Sequence, residues 1–345
     1  MEFQPNCVRK TILGTFLYTY GAPRLLAVEA KHLSKTYRAK QELVEAVKDV
    51  SFSVAPGQIY GILGPNGAGK SSVILMLTTL LRATGGSARI FDLDVERDES
   101  KARKIIGVAL QETGIDEILT GWELLYSTAR LWGLNQKQAR LRSEELLRLV
   151  GLTSAGQRRV KSYSGGMKRR LDLALSLVHQ PKVLFLDEPT TGLDPASRRV
   201  LWDEIFRLKS AGVTIILTTQ YLDEADELAD RIAIIHEGRV VSEGTPDELK
   251  ASISGDVVTF SFAHPELARQ ATELLPNSET LGTDLRITVP NGPQFIPESF
   301  VQFRDSGIDV SAVSSSKPTL DDVFLSVTGF KLESAEERTE KSFRE

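Results

Sequence analysis

Short apolar runs alternate with longer amphipathic stretches along most of the chain, and this alternation predicts an α/β fold. The runs that predict strands lie at residues 58–63, 105–110, 183–186, 213–217 and 231–235. Those that begin at Val183 and Val213 are apolar at successive positions, which is typical of parallel strands buried on both faces. Strands separated by helical stretches predict a parallel sheet with crossover helices.

The same pattern separates a leader from a main domain. Residues 1–25 are expected to form a flexible extension, because their apolar patch at 12–20 is interrupted by polar residues. This patch loosely resembles a signal peptide, but no clear small-residue cleavage site follows it. Residues 26–250 are expected to form the main domain, with a helical subdomain at about 112–180. The helices predicted in that subdomain lie at 122–131 and 137–150.

A smaller unit is predicted at residues 251–330. It opens with the linker-like stretch ASISGD, and Thr319, followed three residues later by Asp322, predicts a capping box at the start of its last helix. A strand at 257–262 and a helix at 265–274 are predicted before further strands. The unit is therefore expected to be a small α+β accessory domain, and the charged tail at 331–345 is expected to fray.

The composition is that of an ordinary globular protein and restricts the classes of function. The chain has 345 residues, of which 41% are hydrophobic and 26% charged, and its net charge is -4. This acidic balance gives no general attraction to nucleic acid, so no nucleic-acid partner is expected. No run reaches the ~18 apolar residues that a membrane-spanning helix needs. The single cysteine, Cys7, excludes an internal disulfide and fits a reducing, cytoplasmic compartment.

The stretch GILGPNGAGKSS has the spacing of a phosphate-binding loop, G-x-x-x-x-G-K-[ST], between a predicted strand and a predicted helix. Its glycines allow successive N–H groups to face a phosphate, and the helix N-terminus adds positive potential. Lys70 is expected to contact the β- and γ-phosphates, and the Ser71 hydroxyl is expected to bind Mg²⁺. An incidental glycine turn is the alternative. The candidate binding residues are Gly64, Pro65, Asn66, Gly67, Ala68, Gly69, Lys70, Ser71 and Ser72.

The stretch VLFLDEPTTGLDP places two carboxylates at the end of a buried strand. Because side-chain direction alternates along a strand, Asp187 and Glu188 are expected to point to opposite faces. Asp187 is the candidate Mg²⁺ ligand, and Glu188 is the candidate general base that activates the attacking water. The alternative is that both carboxylates only mark a strand end in solvent.

A second helix start has the features of an anion site. Ser164, Gly165 and Gly166 come just before a predicted helix, where Ser164 is a natural N-cap and the glycines leave backbone N–H groups approachable. Ordinary capping is the favoured interpretation of such a stretch when it stands alone, but this one comes some twenty residues before the strand with the two carboxylates. The apolar residues of the helix are Leu171, Ala174, Leu175 and Val178.

The order of these motifs resembles the nucleotide-binding subunit of an ATP-binding cassette (ABC) transporter. The resemblance covers roughly residues 26–250 and is carried by residues 64–72, Gln111, 163–167, 183–188 and 192–195. It implies a P-loop NTPase fold that binds and hydrolyses ATP with Mg²⁺. It also implies a homodimer, or a heterodimer with a second cassette, in which the phosphate loop of one subunit faces residues 164–166 of the other.

Further roles are implied by the resemblance alone. Tyr37 matches the aromatic residue that stacks on adenine, although a tyrosine that packs on protein in an edge strand is the alternative. Gln111 matches the glutamine that reaches Mg²⁺ and the water, and the loop at 112–122 would contact a membrane partner. Asp194 matches the residue that bridges the two active sites. The partner implied is a separately encoded integral membrane permease.

Gln220 departs from the pattern of most cassettes, which have a histidine at this position. A carboxamide offers two N–H donors to a γ-phosphate, but it carries no positive charge and does not titrate near neutral pH. His236 does not replace it, since the stretch HEGR predicts a hairpin turn. Either Gln220 is a working phosphate sensor, or the site is slow and a partner cassette supplies turnover. The presence of Glu188, Lys70 and Gln111 favours a working, catalytic role for Gln220.

Three stretches, YSGGM, TTQYLDEAD and PTLDDVF, together resemble the ATPase subunits of daunorubicin-type drug-resistance exporters. This implies an energy-supplying subunit, bound to the cytoplasmic face of the cell membrane, for efflux of a drug-like or amphiphilic compound. Two alternatives stay open: the same machinery exporting lipid or polysaccharide, and a non-transport ABC ATPase that acts on ribosomes or DNA. The sequence does not define the transported molecule, because substrate contacts lie in the partner's membrane helices.

Overall fold

The computed structural model describes residues 26–39, 42–111, 114–253 and 255–329. The predictions made for residues 1–25, including Cys7, and for the tail at 331–345 lie outside the described residues. So do Glu112 and Thr113, at the start of the predicted membrane-partner loop.

Ten strands of the described chain form one large sheet, in the spatial order β5-β4-β1-β2-β10-β9-β3-β8-β7-β6. The strands are β1 (Val28–Ala39), β2 (Glu42–Val54), β3 (Ile59–Leu63), β4 (Gly85–Ile90), β5 (Leu93–Asp94), β6 (Ile106–Ala109), β7 (Val183–Asp187), β8 (Thr214–Thr219), β9 (Arg231–His236) and β10 (Arg239–Gly244). Strands β9, β3, β8, β7 and β6 are parallel neighbours, whereas β5, β4, β1 and β2 pair antiparallel. The predicted parallel strands are therefore confirmed, with ends that differ by one or two residues.

The parallel strands are buried on both faces, as their uninterrupted apolar runs predict. In β7, Leu184 and Leu186 belong to one apolar core, while Val183 and Phe185 belong to the core on the opposite face. All five residues of β7 and all six of β8 are buried. Burial on both faces removes their apolar side chains from water, which stabilises the fold by about 25 cal/mol per Å² of apolar surface.

Helices cover both faces of the parallel strands. They are α1 (Lys70–Leu77), α2 (Glu99–Ala102), α3 (Gly121–Leu131), α4 (Gln136–Leu149), α5 (Gly165–Ser176), α6 (Pro195–Ser210), α7 (Leu222–Leu228) and α8 (Pro246–Ala251). The two helices predicted at 122–131 and 137–150 correspond to α3 and α4, and both begin with a complete capping box, on Thr120 and Asn135. The α1 helix packs on one face, and α3, α4, α5 and α6 contribute to the core on the other.

The C-terminal unit has its own sheet, in the order β12-β13-β11-β14, and its own apolar core. Its elements are β11 (Asp256–Phe262), α9 (Pro265–Leu274), β12 (Glu279–Leu281), β13 (Asp284–Val289), α10 (Gly292–Asp305), β14 (Val310–Ser316) and α11 (Leu320–Thr328). The capping box predicted for its last helix is present, because Thr319 Oγ1 accepts from the Asp322 N–H and the Asp322 carboxylate accepts from the Thr319 N–H.

Helix α11 leaves the C-terminal sheet and packs on the large domain. Its residues Val323 and Phe324 are fully buried in one apolar cluster with Leu63, at the end of β3, and Ala225, in α7. The C-terminal helix therefore packs behind the strand and the helix that flank the candidate site. No helix among the described residues is both long enough and apolar enough to cross a membrane.

Candidate active site

The phosphate loop lies where the strand–loop–helix pattern predicts it, between β3 and α1. Gly69 is the residue before α1 and has φ 102°, in the left-handed region that favours glycine. A Cβ at Gly69 would lie 2.4 Å from the Ala46 carbonyl oxygen, so no other residue fits without a shift of the backbone. The N-terminus of α1 has no side-chain cap among the described contacts, which leaves its first N–H groups directed at the loop.

Lys70 places its positive charge inside the loop. Its side chain is only 4% exposed. Its Nζ donates to the carbonyl oxygens of Gly64 (2.8 Å) and Pro65 (3.1 Å), and lies 3.2 Å from Glu188 Oε1. A buried ammonium in a loop of backbone N–H groups is suited to bind a multiply charged phosphate chain.

The side chains of Asp187 and Glu188 both contact the phosphate loop, so the expectation that they point to opposite faces is wrong. Strand β7 ends at Asp187, and Glu188 has φ 46°, outside the extended region in which side chains alternate. The Glu188 N–H donates to both the carbonyl oxygen and the hydroxyl of Thr218, at 3.2 and 3.0 Å, which holds this turn. Asp187 Oδ1 accepts from Ser71 Oγ at 3.2 Å, and Glu188 lies on Lys70.

Gln111 joins the site from the end of β6. Its Nε2 donates to Glu188 Oε2 at 3.3 Å, and Thr191 Oγ1 donates to the same oxygen at 3.2 Å. Each Glu188 oxygen therefore has a donor or cation beside it. Sequence reasoning did not single out Thr191, although it lies in the PTTG stretch directly after the carboxylates. It also did not find Thr218, whose hydroxyl donates to Asp187 Oδ1 at 2.5 Å.

Gln220 is buried, with 5% of its surface exposed, at the carboxyl end of β8. This strand lies between β3 and β7, and its register pairs Thr219 with Leu63 and Thr218 with Asp187. Gln220 therefore follows the strand between the phosphate loop and the two carboxylates, which is the position expected of a residue that contacts a terminal phosphate.

The second helix start is built as predicted. Ser164 caps α5, since its Oγ accepts from the Met167 N–H at 3.3 Å. A Cβ at Gly165 would meet no atom within 4 Å, whereas a Cβ at Gly166 would lie 2.8 Å from Ser197 Oγ. Gly166 is thus packed against α6, while the side of α5 at Gly165 stays open.

Asp194 is brought to the same place by Ser197. It caps α6, accepting from the Ser197 N–H at 2.9 Å and from the Ser197 hydroxyl at 2.6 Å. These hydrogen bonds lower the pKa of the Asp194 carboxyl. Asp194 and the start of α5 therefore form one surface, joined through Ser197.

Tyr37 lies beside the phosphate loop. Its hydroxyl is 3.0 Å from Ser72 Oγ, in the first turn of α1, and 36% of its surface is exposed. The pairing of β1 with β4 ends at Ser34, so β2 is the only paired strand beside Tyr37 in the described sheet. Lys35 Nζ lies 5.4 Å from the centre of its ring. The contacts leave both the adenine-stacking role and the packing alternative open.

Behind Gln220, α7 is held by a buried carboxyl group. Glu224 is fully buried, and its Oε1 accepts from Trp202 Nε1 of α6 at 3.2 Å. Burial raises the pKa of Glu224. The helix after Gln220 is therefore anchored to α6 by a polar contact inside the apolar core.

Taken together, a phosphate loop with a buried lysine, and a strand-end aspartate on the loop serine, form the nucleotide site of a P-loop NTPase. Residues 47–191 match the family described as ABC transporter, and residues 244–328 match the family described as ATP-binding protein DrrA1-3-like, C-terminal domain.

Two relatives extend this match over most of the chain. This chain is 44% identical over 310 residues to the daunorubicin/doxorubicin resistance ATP-binding protein DrrA of Streptomyces peucetius. The alignment covers 88% of this chain and 92% of the relative. This chain is 42% identical over 316 residues to the doxorubicin resistance ATP-binding protein DrrA of Mycobacterium tuberculosis, in an alignment that covers 88% and 94%. The dimeric, post-hydrolysis structure of the ATP-binding cassette MJ0796 with ADP and Pi matches with a TM-score of 0.59 at 25% identity, over 63% of this chain and 98% of that one.

The chain belongs to the ABC transporter family, in the branch of the daunorubicin-resistance ATP-binding proteins. It is an ABC ATPase, and the predicted fold class and resemblance are confirmed. The predicted domain boundaries and the roles of individual site residues stay predictions.

Proposed function

We propose that this chain supplies the energy for export of an amphiphilic, drug-like compound through a separately encoded membrane permease. The observation that carries the proposal is the convergence of Lys70 and Gln111 on Glu188, each within hydrogen-bonding distance of one of its carboxylate oxygens. The resistance proteins to which 88% of this chain aligns support the class of compound. The chain would bind at the cytoplasmic face of the membrane as a peripheral subunit.

In the proposed site, the phosphate loop, the metal ligands and the aromatic side chain each have a separate task. Backbone N–H groups of the phosphate loop and of the first turn of α1, together with the Lys70 ammonium, bind the β- and γ-phosphates of ATP. The oxygen ligands Ser71, Gln111 and Asp187 suit a hard cation such as Mg²⁺, which takes few protein ligands besides the phosphates. When bound, Mg²⁺ supplies charge neutralisation for the phosphates. Tyr37 would stack on the adenine.

Hydrolysis is assigned to Glu188, which accepts a proton from the attacking water as general base. Gln111 and Thr191 hold its Oε2 in place, and Lys70 lies beside Oε1. Gln220 would hold the γ-phosphate through its carboxamide N–H groups, without the charge of a histidine. We favour this working sensor over a slow site because the other catalytic groups are all in contact.

The proposed active unit is a pair of cassettes, either two copies of this chain or this chain with a second cassette. The open side of α5 at Gly165 has room for a phosphate from the facing subunit, and the helix N-terminus and Ser164 favour an anion there. Asp194, joined to this surface through Ser197, would link the two active sites.

Co-expression with a neighbouring open reading frame of about six membrane-length apolar segments tests the proposal. Inside-out membrane vesicles that contain both proteins should take up a fluorescent anthracycline only with Mg-ATP, and Lys70→Ala should abolish uptake. Uptake of a lipid or a polysaccharide instead would select the same machinery with another cargo. Sedimentation with ribosomes, and not with permease-containing membranes, would overturn the proposal.

A further inference from the structure

Arg169, which none of the motifs singles out, contacts the backbone segments that carry the residues of the candidate site. It is 8% exposed, and its guanidinium donates to the carbonyl oxygens of four residues. Those four acceptors are Leu110 (2.5 Å), Asp187 (2.7 Å), Glu188 (3.2 Å) and Pro189 (2.9 Å). One side chain of α5 therefore contacts the backbone beside Gln111, Asp187 and Glu188 together.

These carbonyl groups lie where the sheet stops pairing. The β6–β7 register ends at Ala109 opposite Leu186, and the β7–β8 register ends at Asp187 opposite Thr218. A buried carbonyl group without a partner costs free energy, and the segments that follow these strands need another source of hydrogen bonds. Arg169 supplies it at the point where the side chains of the site begin.

The guanidinium is the only side-chain group that fits this task. It carries five N–H donors in a rigid plane, so one residue reaches acceptors on two segments of the chain in a fixed geometry. Asp172, one turn along α5, lies 3.5 Å from Arg169 Nη1 and offsets its charge. A lysine would keep the charge but would lose the planar set of donors.

Arg169 also lies close to the start of α5. It is the fifth residue of that helix, which places it about 6 Å along the axis from Gly165 at 1.5 Å per residue. The helix end that would bind the facing subunit's phosphate is therefore tied, through Arg169, to the catalytic segments of its own chain.

We propose that Arg169 is a positioning residue on α5, which fixes the positions of Gln111, Asp187 and Glu188 relative to one another. This inference rests on the proposed ATP hydrolysis at Glu188. Arg169 does not touch the nucleotide in this role, so its loss should slow the chemical step and leave nucleotide binding in place.

The test compares Arg169→Lys with Arg170→Lys in the full chain. Arg170 is the matched control, because it also lies on α5 and its Nη1 donates to a carbonyl oxygen, that of Val150, at 2.9 Å. Arg169→Lys should lower kcat by about 10- to 100-fold with KM for Mg-ATP changed less than about threefold. Arg170→Lys should keep both constants within about threefold of the parent chain.

A second measurement separates positioning from a general loss of structure. In Arg169→Lys the ATP-bound dimer should last longer on size-exclusion chromatography with Mg-ATP, because ATP binds but is hydrolysed slowly. If Arg169 only stabilised α5, the variant would form less dimer and unfold at a lower temperature. Equal effects of the two variants on kcat, or a raised KM with unchanged kcat, would overturn the inference while the proposed function stands. A parent chain that does not bind Mg-ATP would overturn both.

Discussion

Lys70 Nζ lies 3.2 Å from Glu188 Oε1, and both side chains are buried, with 4% and 6% of their surface exposed. The cation that would bind phosphate and the carboxylate that would activate water therefore offset each other's charge. A triphosphate brings more negative charge than a carboxylate and would compete with Glu188 for Lys70. With these proposed roles, ATP binding and the release of the base from Lys70 would be two parts of one electrostatic exchange.

Glu188→Gln should remove hydrolysis and keep nucleotide binding. The amide retains the shape of the side chain but has no proton-accepting carboxylate, so kcat should fall by about 100-fold or more. The lost negative charge should also strengthen Mg-ATP binding, and the variant should elute as a dimer with saturating Mg-ATP. Glu227→Gln, on the exposed side of α7, is the control and should behave as the parent chain. A monomeric Glu188→Gln chain under these conditions would contradict the prediction.

The sequence predicts only part of the arrangement of Asp187 and Glu188. The strand and the phosphate loop follow from periodicity and spacing, because both depend on neighbours along the chain. Ser71 and Asp187 were each predicted as Mg²⁺ ligands, but the hydrogen bond between them joins two distant segments and was not predicted. The direction of Glu188 does not follow from the sequence either, since its φ of 46° is held by Thr218 from another strand. Arg169 is missed for the same reason, because its acceptors come from segments far apart in the sequence.

The antiparallel half of the large sheet was not among the predicted strands. Its long strands β1 and β2 mix charged and apolar residues, and their register shifts at Leu33 and Lys35. Irregular pairing of this kind breaks the simple alternation by which a half-buried strand is identified. The sequence also did not predict where α11 packs, because its apolar face contacts the large domain and not the C-terminal sheet that precedes it in the chain.

Gln220→Ala should abolish ATP hydrolysis, and Gln220→His should keep it. Alanine removes the donors that would hold the γ-phosphate, at a cost of about 100-fold or more in kcat, as for other transition-state hydrogen bonds. Imidazole restores a donor and adds a group that titrates near pH 6.5 or so. The kinetics of Gln220→His should therefore vary between about pH 6 and 7 relative to the parent chain. Steady-state kinetics across this range check both points, and a parental rate for Gln220→Ala would rule out the sensor role.

Gly165→Ala and Gly166→Ala should impair different properties of the protein: the first ATP-driven dimerisation, and the second stability. A methyl group at Gly165 meets nothing within 4 Å, so the variant should be as stable as the parent chain. It should nevertheless lose ATP-driven dimerisation, because the facing subunit's phosphate needs that space. At Gly166 the methyl group would lie 2.8 Å from Ser197 Oγ, and overpacking should cost about 1–3 kcal/mol of stability.

Thermal unfolding without nucleotide, followed by chromatography with Mg-ATP, separates the two effects. Gly165→Ala should unfold at the parental temperature and elute as a monomer. If Gly165→Ala instead dimerises and hydrolyses ATP normally, the start of α5 does not bind the facing nucleotide.

Asp172→Asn should change how stability depends on pH. Burial raises the pKa of Asp172 to about 6, against the opposing effect of Arg169, whereas the ordinary value is 3.8. Between these values the unfolded chain loses the proton first, so this carboxyl group lowers stability as pH rises towards about 6 and has a constant effect above it. Asparagine cannot ionise, and the variant should therefore gain stability relative to the parent chain across this window, by roughly 1–3 kcal/mol. Unfolding midpoints measured from pH 4.5 to 7.5, or about that range, should show the gain, and Asp203→Asn, at an exposed position of α6, should not. A constant difference between Asp172→Asn and the parent chain would mean that Asp172 is ionised throughout.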